Sequence, residues 1–541
     1  MKEFVSKTRA RQTQKREKRS AQKPARKRPW SDRRWVRALP AAALWAVALG
    51  VLHFDQLAGL SDGAGLIASM AGNALFLAAG LWATGLLLRI VRPRALDRFG
   101  TVLLMATIAL LALIPAKLLF FAGEAFPAFQ PLAMYSLPFV LAPMLASTLL
   151  SGPTAIAVGS WTGLALGLAA PDDSRFAVFT VALSVTAAAA LYSRGIRKRG
   201  QVLKVGVISG GFGVLFLLAW TMWRWPDAGG SLRLILMQIG VCLAGGFVSA
   251  FVALLLLPLF ETLFNITSDI SLLELSDLGH PLLQRLALEA PGTYHHSLVA
   301  ALLAQAAADE IGANGLLART AMYFHDIGKL AKPNFFTENT LGKTNPHDDL
   351  SPNMSALIII AHVKEGLSMA LLHKLPESIR RILREHHGTS LISYFHHKAK
   401  AQLELGLESR ENGGNGKAFV EESEFRYPGP KPGSRESAIV CLADAVEAAS
   451  RSMEKTTPAH IEGLVYDIVA SRIEDGQLDK CDLTLAEIAK IKRSFVFSLA
   501  SMLHGRTPYP KDETRDKPSA KSAATVSGKD SGPAPASGTA A

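Results

Sequence analysis

From Ala38 to Phe264 the chain is a succession of apolar stretches separated by short polar breaks. Each stretch is near the 17–25 residues that a helix needs to cross a hydrocarbon core roughly 30 Å thick. Eight spans are predicted, at about 38–54, 65–91, 101–122, 131–150, 153–170, 175–193, 202–223 and 232–263. The connectors alternate in charge. Arg89, Arg92, Arg94 and Arg98 follow the second span, and Arg194, Arg197, Lys198, Arg199 and Lys204 follow the sixth. The opposite side carries Asp55 and Asp62, then Glu124, then Asp172 and Asp173, while Arg224, Asp227 and Arg233 make the last connector mixed. Basic connectors mark the cytoplasmic side. An even number of crossings returns both termini to it.

At about Asn265 the pattern changes to an amphipathic one, with Leu272, Leu273, Leu275 and Leu278 near helical spacing, then Leu282, Leu283, Leu286 and Leu288. This predicts a coupling helix leading out of the membrane. Helical patterns continue to about Leu503, interrupted by a polar stretch at 405–436, and after about Thr507 large apolar residues almost cease. The predicted fold is all-α: a polytopic membrane helix bundle of about eight spans, then a cytoplasmic all-α domain. Its expected divisions are a basic tail at 1–37, a transmembrane part at 38–264, a soluble domain at 265–506 and a disordered tail at 507–541.

Composition agrees with a membrane part joined to a soluble part: the 541 residues are 49% hydrophobic. Charge changes the picture more. The net +13 sits almost wholly in the first 37 residues, where 15 Lys and Arg face Glu3, Glu17 and Asp32. A basic arm before an apolar run reads as a positive-inside anchor that also meets anionic membrane lipids, so no nucleic acid polymer is expected as a partner. The spans hold few ionisable groups, Lys117 being the main exception, which argues against an ion-coupled transporter. Gly159, Gly163 and Gly167 form a ladder on one face of the fifth span and predict close helix packing. Cys242, Cys441 and Cys481 suggest neither a disulfide framework nor a zinc site.

Histidine is distributed unevenly: of 14, only His53 precedes Asn265. The central string is Tyr323-Phe324-His325-Asp326-Ile327-Gly328-Lys329, in which an imidazole and a carboxylate that can bridge two cations stand side by side. Thr293-Tyr294-His295-His296-Ser297 opens the preceding helix, His362 lies in Ala361-His362-Val363-Lys364, and Glu385-His386-His387-Gly388 ends another helical run. Asp444 falls inside an apolar helical pattern, where an unpaired carboxylate is costly to bury. A metal is the obvious partner.

The ordered series H…HD…H…HH…D, with the strings HPLLQRLALEAPGTYHHS, YFHDIGKL, TNPHDDLSP, AHVKEG, REHHGTSLISYFHHKA, FRYPGPKP and CLADAVEAASR, resembles the membrane-bound HD-domain phosphodiesterases of the PgpH type. The resemblance is strong from about His280 to Leu503 and rests on topology alone in the apolar half. It implies hydrolysis of cyclic di-AMP to linear pApA by two divalent metal ions, Mn or Fe. It further implies that His296, His325, Asp326 and Asp444 hold one metal, and that Asp326 bridges to a second held by His362, His386 and His387. His295 is the fallback for His296. Two such cations fix phosphate oxygens and ease the in-line displacement.

Asp326 and Lys329 are the expected catalytic residues, Lys329 as a cation for the transferring phosphate. Arg426, Tyr427 and Lys431 are candidates for substrate contact, combining an aromatic face with basic groups. His347, His396 and His397, for which no ligand position remains, are expected on a loop or helix surface, with substrate contact left open. The sequence departs from the family between spans one and two, where only Asp55 to Ala64 stands in place of a large extracellular domain. Hydrolysis of cyclic di-GMP or a guanosine polyphosphate, or nucleotide binding without cleavage, stays open, as does a homodimer.

Overall fold

Inside a bilayer the backbone must satisfy its own hydrogen bonds, so long apolar runs become helices. In the computed structural model of the protein they do so as α1 (Arg34–Leu52), α2 (Gly63–Val91), α3 (Phe99–Ala125), α4 (Leu141–Leu149), α5 (Gly152–Ala169), α6 (Arg175–Tyr192), α7 (Arg199–Trp223) and α8 (Leu232–Phe264). The structure describes residues 34–54, 63–193, 196, 198–223, 231–340, 345–408, 420–453 and 457–504. Residues 1–33 of the basic tail, the terminal tail after 507, the 55–62 connector, most of 194–197, 224–230 and 409–419 of the polar stretch lie outside those residues.

Six of these segments, counting Gln130–Leu149 as one, are long and apolar enough to cross a membrane; α1 and α5 are shorter or less apolar. The outer faces carry large apolar side chains, with Leu75, Trp82, Leu215 and Met222 each more than 60% exposed. Such a surface suits lipid, not water. The predicted span at 131–150 is not one helix. Pro138 holds Leu137 extended, and the segment runs as a turn at Gln130–Ala133, a 3₁₀ turn at Met134–Ser136 and then the nine-residue α4. Nine residues span only about 13 Å. This irregular backbone is tolerated because Tyr135, Leu137 and nearly all of α4 are buried among the other helices.

The glycine ladder packs as expected. A Cβ on Gly163 would lie 2.8 Å from Ala182 Cβ, and one on Gly159 2.5 Å from Thr186 Cγ2, so α5 and α6 approach to backbone contact.

Asn265, left-handed at φ 50°, ends α8. Glu261 then accepts from Ser268 N and the Ser271 hydroxyl at 2.8–2.9 Å, directing the chain into the short helix α9 (Asp269–Leu275). The second half continues as α10 (Pro281–Glu289), α11 (Pro291–Glu310), α12 (Gly315–Phe324), α13 (Pro352–Leu372), α14 (Glu377–Glu385), α15 (Ser393–Glu408), α16 (Arg435–Ser450), α17 (Pro458–Glu474) and α18 (Leu485–His504). Its core is separate from that of the membrane part and centres on Ala300, Ala304, Phe324, Ile382, Leu442, Val446 and Phe495. Among the described residues there is no strand, only an isolated bridge between Leu391 and Arg426.

By length and composition α13 could also cross a membrane. Its packing argues otherwise, because Gly366 lies against Gly328 and His362 turns into the soluble core. The two halves touch where Arg199 makes a two-pronged ion pair with Glu274 at 2.8 and 3.0 Å and Thr267 meets Ser378 at 2.7 Å. His347 and His396 depart from expectation. Each is 3% exposed, packed against Phe395 and Phe425 respectively, while His397 is exposed as expected.

Candidate metal centre

The last carbonyls of a helix have no intrahelical donors. Here α12 and α14 end directly at His325 and His386, and each ring turns its Nδ1 to the carbonyl three residues back, Met322 O and Leu383 O, at 2.7 Å. His362 does the same with Ile359 O from within α13. Each Nδ1 therefore donates, and each Nε2, whose lone pair serves a metal once any proton there has left, faces the interior.

These lone pairs meet around Asp326, which is 1% exposed. Its Oδ2 lies 3.1 Å from His325 Nε2 and 3.9 Å from His296 Nε2; its Oδ1 lies 3.3 Å from His362 Nε2 and 3.8 Å from His386 Nε2. Asp444, from α16, places Oδ1 3.1 Å from His296 Nε2 and Oδ2 3.4 Å from His387 Nδ1. Two four-residue sets result, His296, His325, Asp326 and Asp444, and Asp326, His362, His386 and His387, with donor atoms of each within 4.8 Å of one another. Asp326 belongs to both. His296 is buried in the cluster and His295 is exposed, which favours the first of the two candidates.

The donor set fits two divalent cations. His325 Nε2 and Asp326 Oδ1 are buried and make no hydrogen bond. The lone pairs of His362 and His386 face each other at 3.4 Å, an arrangement that repels unless a cation lies between them. Electrostatics divides the cluster in the same way. Burial disfavours the charged form of His325, but the carboxylates of Asp326 and Asp444 prevail and raise its pKa to about 10. His386 is driven down to about 3 by burial and by the charge on His325, and His387 is lowered by burial and by His386. Asp326 is held well below the usual carboxylate range, burial being outweighed by His325 and Lys329.

Lys329 follows Asp326 by one turn, with its ammonium 2.8 Å from Asp326 Oδ2 and 2.7 Å from Glu338 Oε1. Burial opposes its charge, but those two carboxylates keep it protonated. The cluster opens into a cavity of about 1270 Å³ that is lined by Lys329, Tyr427, Arg451 and Arg472 among others. Tyr427 stacks on His387 at 4.3 Å between ring centres. Arg426 and Lys431 are not brought to this cavity. The Arg426 guanidinium is held by Asp475, Glu422 and Thr389 O, and Lys431 Nζ by Gly476 O at 2.6 Å and Asp479 at 3.2 Å.

One residue escaped the sequence reading. Glu447 is 3% exposed and its Oε2 bonds His296 Nδ1, turning the other ring nitrogen to Asp444 and Asp326. Arg451 donates to Glu447 Oε1 at 2.8 Å. The three-residue step from Asp444 to Glu447 puts both on one face of α16, a signal that was present in the sequence.

Comparison with known proteins agrees with this architecture. Residues 67–268 match the family model described as a 7TM receptor with intracellular HD hydrolase, and residues 293–449 match the HD domain. The chain thus carries, in order, a region that matches the seven-helix receptor model, spanned by α2 to α8 and preceded by α1, and a region that matches the HD domain. It is homologous to the proteins named cyclic-di-AMP phosphodiesterase PgpH. It is 42% identical to that of Bacillus subtilis over 312 residues, 58% of this chain and 42% of the relative. For that of Listeria monocytogenes the figures are 41% over 278 residues, 51% of this chain and 37% of the relative. The alignments thus span only about two fifths of the length of these relatives. The crystal structure of the Listeria PgpH HD domain is 42% identical, with a TM-score of 0.38, covering 42% of this chain and all of that one.

Proposed function

We propose that the chain is a cyclic dinucleotide phosphodiesterase that opens cyclic di-AMP to linear pApA at the cytoplasmic face of the membrane. The carrying observation is one buried carboxylate, Asp326, shared by two sets of histidines beside a cavity large enough for a dinucleotide. The names of its relatives support the substrate. In this reading His296, His325, Asp326 and Asp444 hold one metal, and Asp326, His362, His386 and His387 the other, Mn or Fe in both cases. Two such ions supply Lewis acidity toward a phosphodiester and water.

The protein's own groups do the rest. Lys329 keeps Asp326 ionised and offers positive charge at the cavity wall, and Tyr427 gives a face for an adenine. Arg451 and Arg472 stand where they can meet the phosphates, a part first expected of Arg426 and Lys431. Water adds to phosphorus, the bond to O3′ breaks, and the departing oxygen takes up a proton, leaving a linear dinucleotide with a 5′-phosphate. Residues 38–264 form the membrane domain and 265–506 the hydrolase, both termini are cytoplasmic, and regulation passes through the α8–α9 junction. Partners are the nucleotide and membrane lipids, with a homodimer allowed and no nucleic acid polymer bound.

The test is turnover by the full chain in detergent with Mn²⁺ or Fe²⁺. Formation of pApA is expected. Cleavage of cyclic di-GMP or a guanosine polyphosphate in its place would overturn the substrate, and tight binding without cleavage would make the protein a receptor.

A further inference from the structure

Between α1, α2 and α3 a cleft runs from the interior of the membrane bundle to one charged end. Its inner part, about 110 Å³, is walled by Leu44, Leu88, Met105, Ala109, Val158 and Trp161. Its outer part, about 530 Å³, reaches Arg37, Arg89 and Asp97. Ala41, Gly85, Leu96 and Val102 line both parts, so the two are continuous. The charged end faces the catalytic half. Arg92, just beyond α2, donates to Leu150 O at 3.2 Å, and both residues line a polar pocket with Ser268 and Asp269 of the junction.

The chemistry of the rim is unbalanced. Arg37 spends Nη1 on the backbone and side chain of Asp97 at 3.0 and 3.2 Å, while its Nε is buried with no partner. Arg89 is exposed and has no ion pair among the described residues. Two guanidinium groups against one carboxylate leave positive charge above an apolar floor. Water cannot satisfy the floor, and an uncharged lipid would leave the rim unmet.

We propose that this cleft binds one anionic phospholipid from the leaflet on the catalytic side, with its phosphate between Arg37 and Arg89 and part of one acyl chain against Leu44, Leu88 and Trp161. Basic pockets between membrane helices hold such headgroups by charge-assisted hydrogen bonds. Arg37, Ala41 and Leu44 come from α1, which lies outside the matched seven-helix region, so the lipid would tie α1 to the receptor helices.

Gly85 offers a clean probe. A Cβ there meets nothing within 4 Å, so a larger side chain grows into the cleft without displacing the helices. The full chain is reconstituted in phosphatidylcholine nanodiscs with a minor fraction of phosphatidylglycerol, released, and weighed by native mass spectrometry. One phosphatidylglycerol per chain should be retained and phosphatidylcholine should not. Retention should be lost in Gly85→Leu and weakened about 25-fold in Arg37→Gln/Arg89→Gln, two charges at roughly fivefold each. Equal retention of both lipids, unchanged retention in the variants, or capture of a free fatty acid in place of the phospholipid would overturn the proposal. Should Gly85→Leu fail to fold, the charge variant decides alone. None of these readings depends on nucleotide turnover.

Discussion

The carboxylate of Glu447 meets Nδ1 of His296, while Asp444, one turn earlier on α16, faces Nε2 of the same ring. Arg451 holds the other Glu447 oxygen, so the glutamate is fixed before any metal arrives. Outer partners of this kind set the ring orientation and raise the basicity of the ligand nitrogen. Glu447→Gln should weaken metal binding about 10- to 100-fold while saturating metal restores most of kcat. Metal titration followed by calorimetry reads this directly. An unchanged affinity would reduce Glu447 to a packing role.

Asp326 is the one residue common to both ligand sets. Asp326→Ala should therefore remove both metals and all turnover, whereas His362→Ala should spare the site formed by His296, His325 and Asp444. Elemental analysis of the purified variants distinguishes these outcomes. Two metals retained by Asp326→Ala would contradict the bridging role.

Metal loading should release protons. In the metal-free cluster the pKa of His325 stands at about 10, so that ring is charged near neutral pH, and Asp444 and Glu447 raise that of His296 against the pull of burial. A raised folded pKa means that their contribution to the metal-free fold is complete below the ordinary value of about 6.5 and is lost as pH rises through the folded value. A cation needs both rings neutral. Binding at about pH 7.5 should release protons, that of His325 at the least, and His386 and His387, already neutral, should add none. Calorimetry in two buffers of different ionisation enthalpy gives the count; heats independent of buffer would refute it.

Much of this was legible because it is local. His325 and His386 fall where helices stop, and their strings state both the ligand and the helix end that fixes its tautomer. Asp444 was found because a carboxylate in an apolar run must be partnered. The failures are long-range. Nothing near Arg426 or Lys431 announces that Asp475 and Asp479, on a later helix end, will take their charge. Glu447 stands one turn from Asp444 on α16, but only the arrival of α11 with His296 makes its surroundings interior. His347 and His396 are expected at the surface because the ligand series leaves no metal position for them, but each packs against a phenylalanine, Phe395 and Phe425 respectively. In the membrane half, Pro138 could have warned that the fourth predicted helix is broken, a signal that hydropathy averages away.

The glycine ladder gives a prediction for the membrane half that is independent of the chemistry. Gly159 and Gly163 of α5 face Thr186 and Ala182 of α6 with no room for a side chain, and the contacting atoms belong to short, stiff neighbours that cannot swing aside. Gly163→Leu must then part the helices or rotate one of them. Overpacking of this sort costs about 1–3 kcal/mol, often more where backbones touch. Because α5 also packs on α2, α3 and α4, the disturbance should spread through the bundle and lower its unfolding temperature in detergent. The metal centre, built on a separate core, should keep its metal content. Loss of metal together with bundle stability would show that the two cores unfold as one unit, and an unchanged melting temperature would contradict the close approach of α5 and α6.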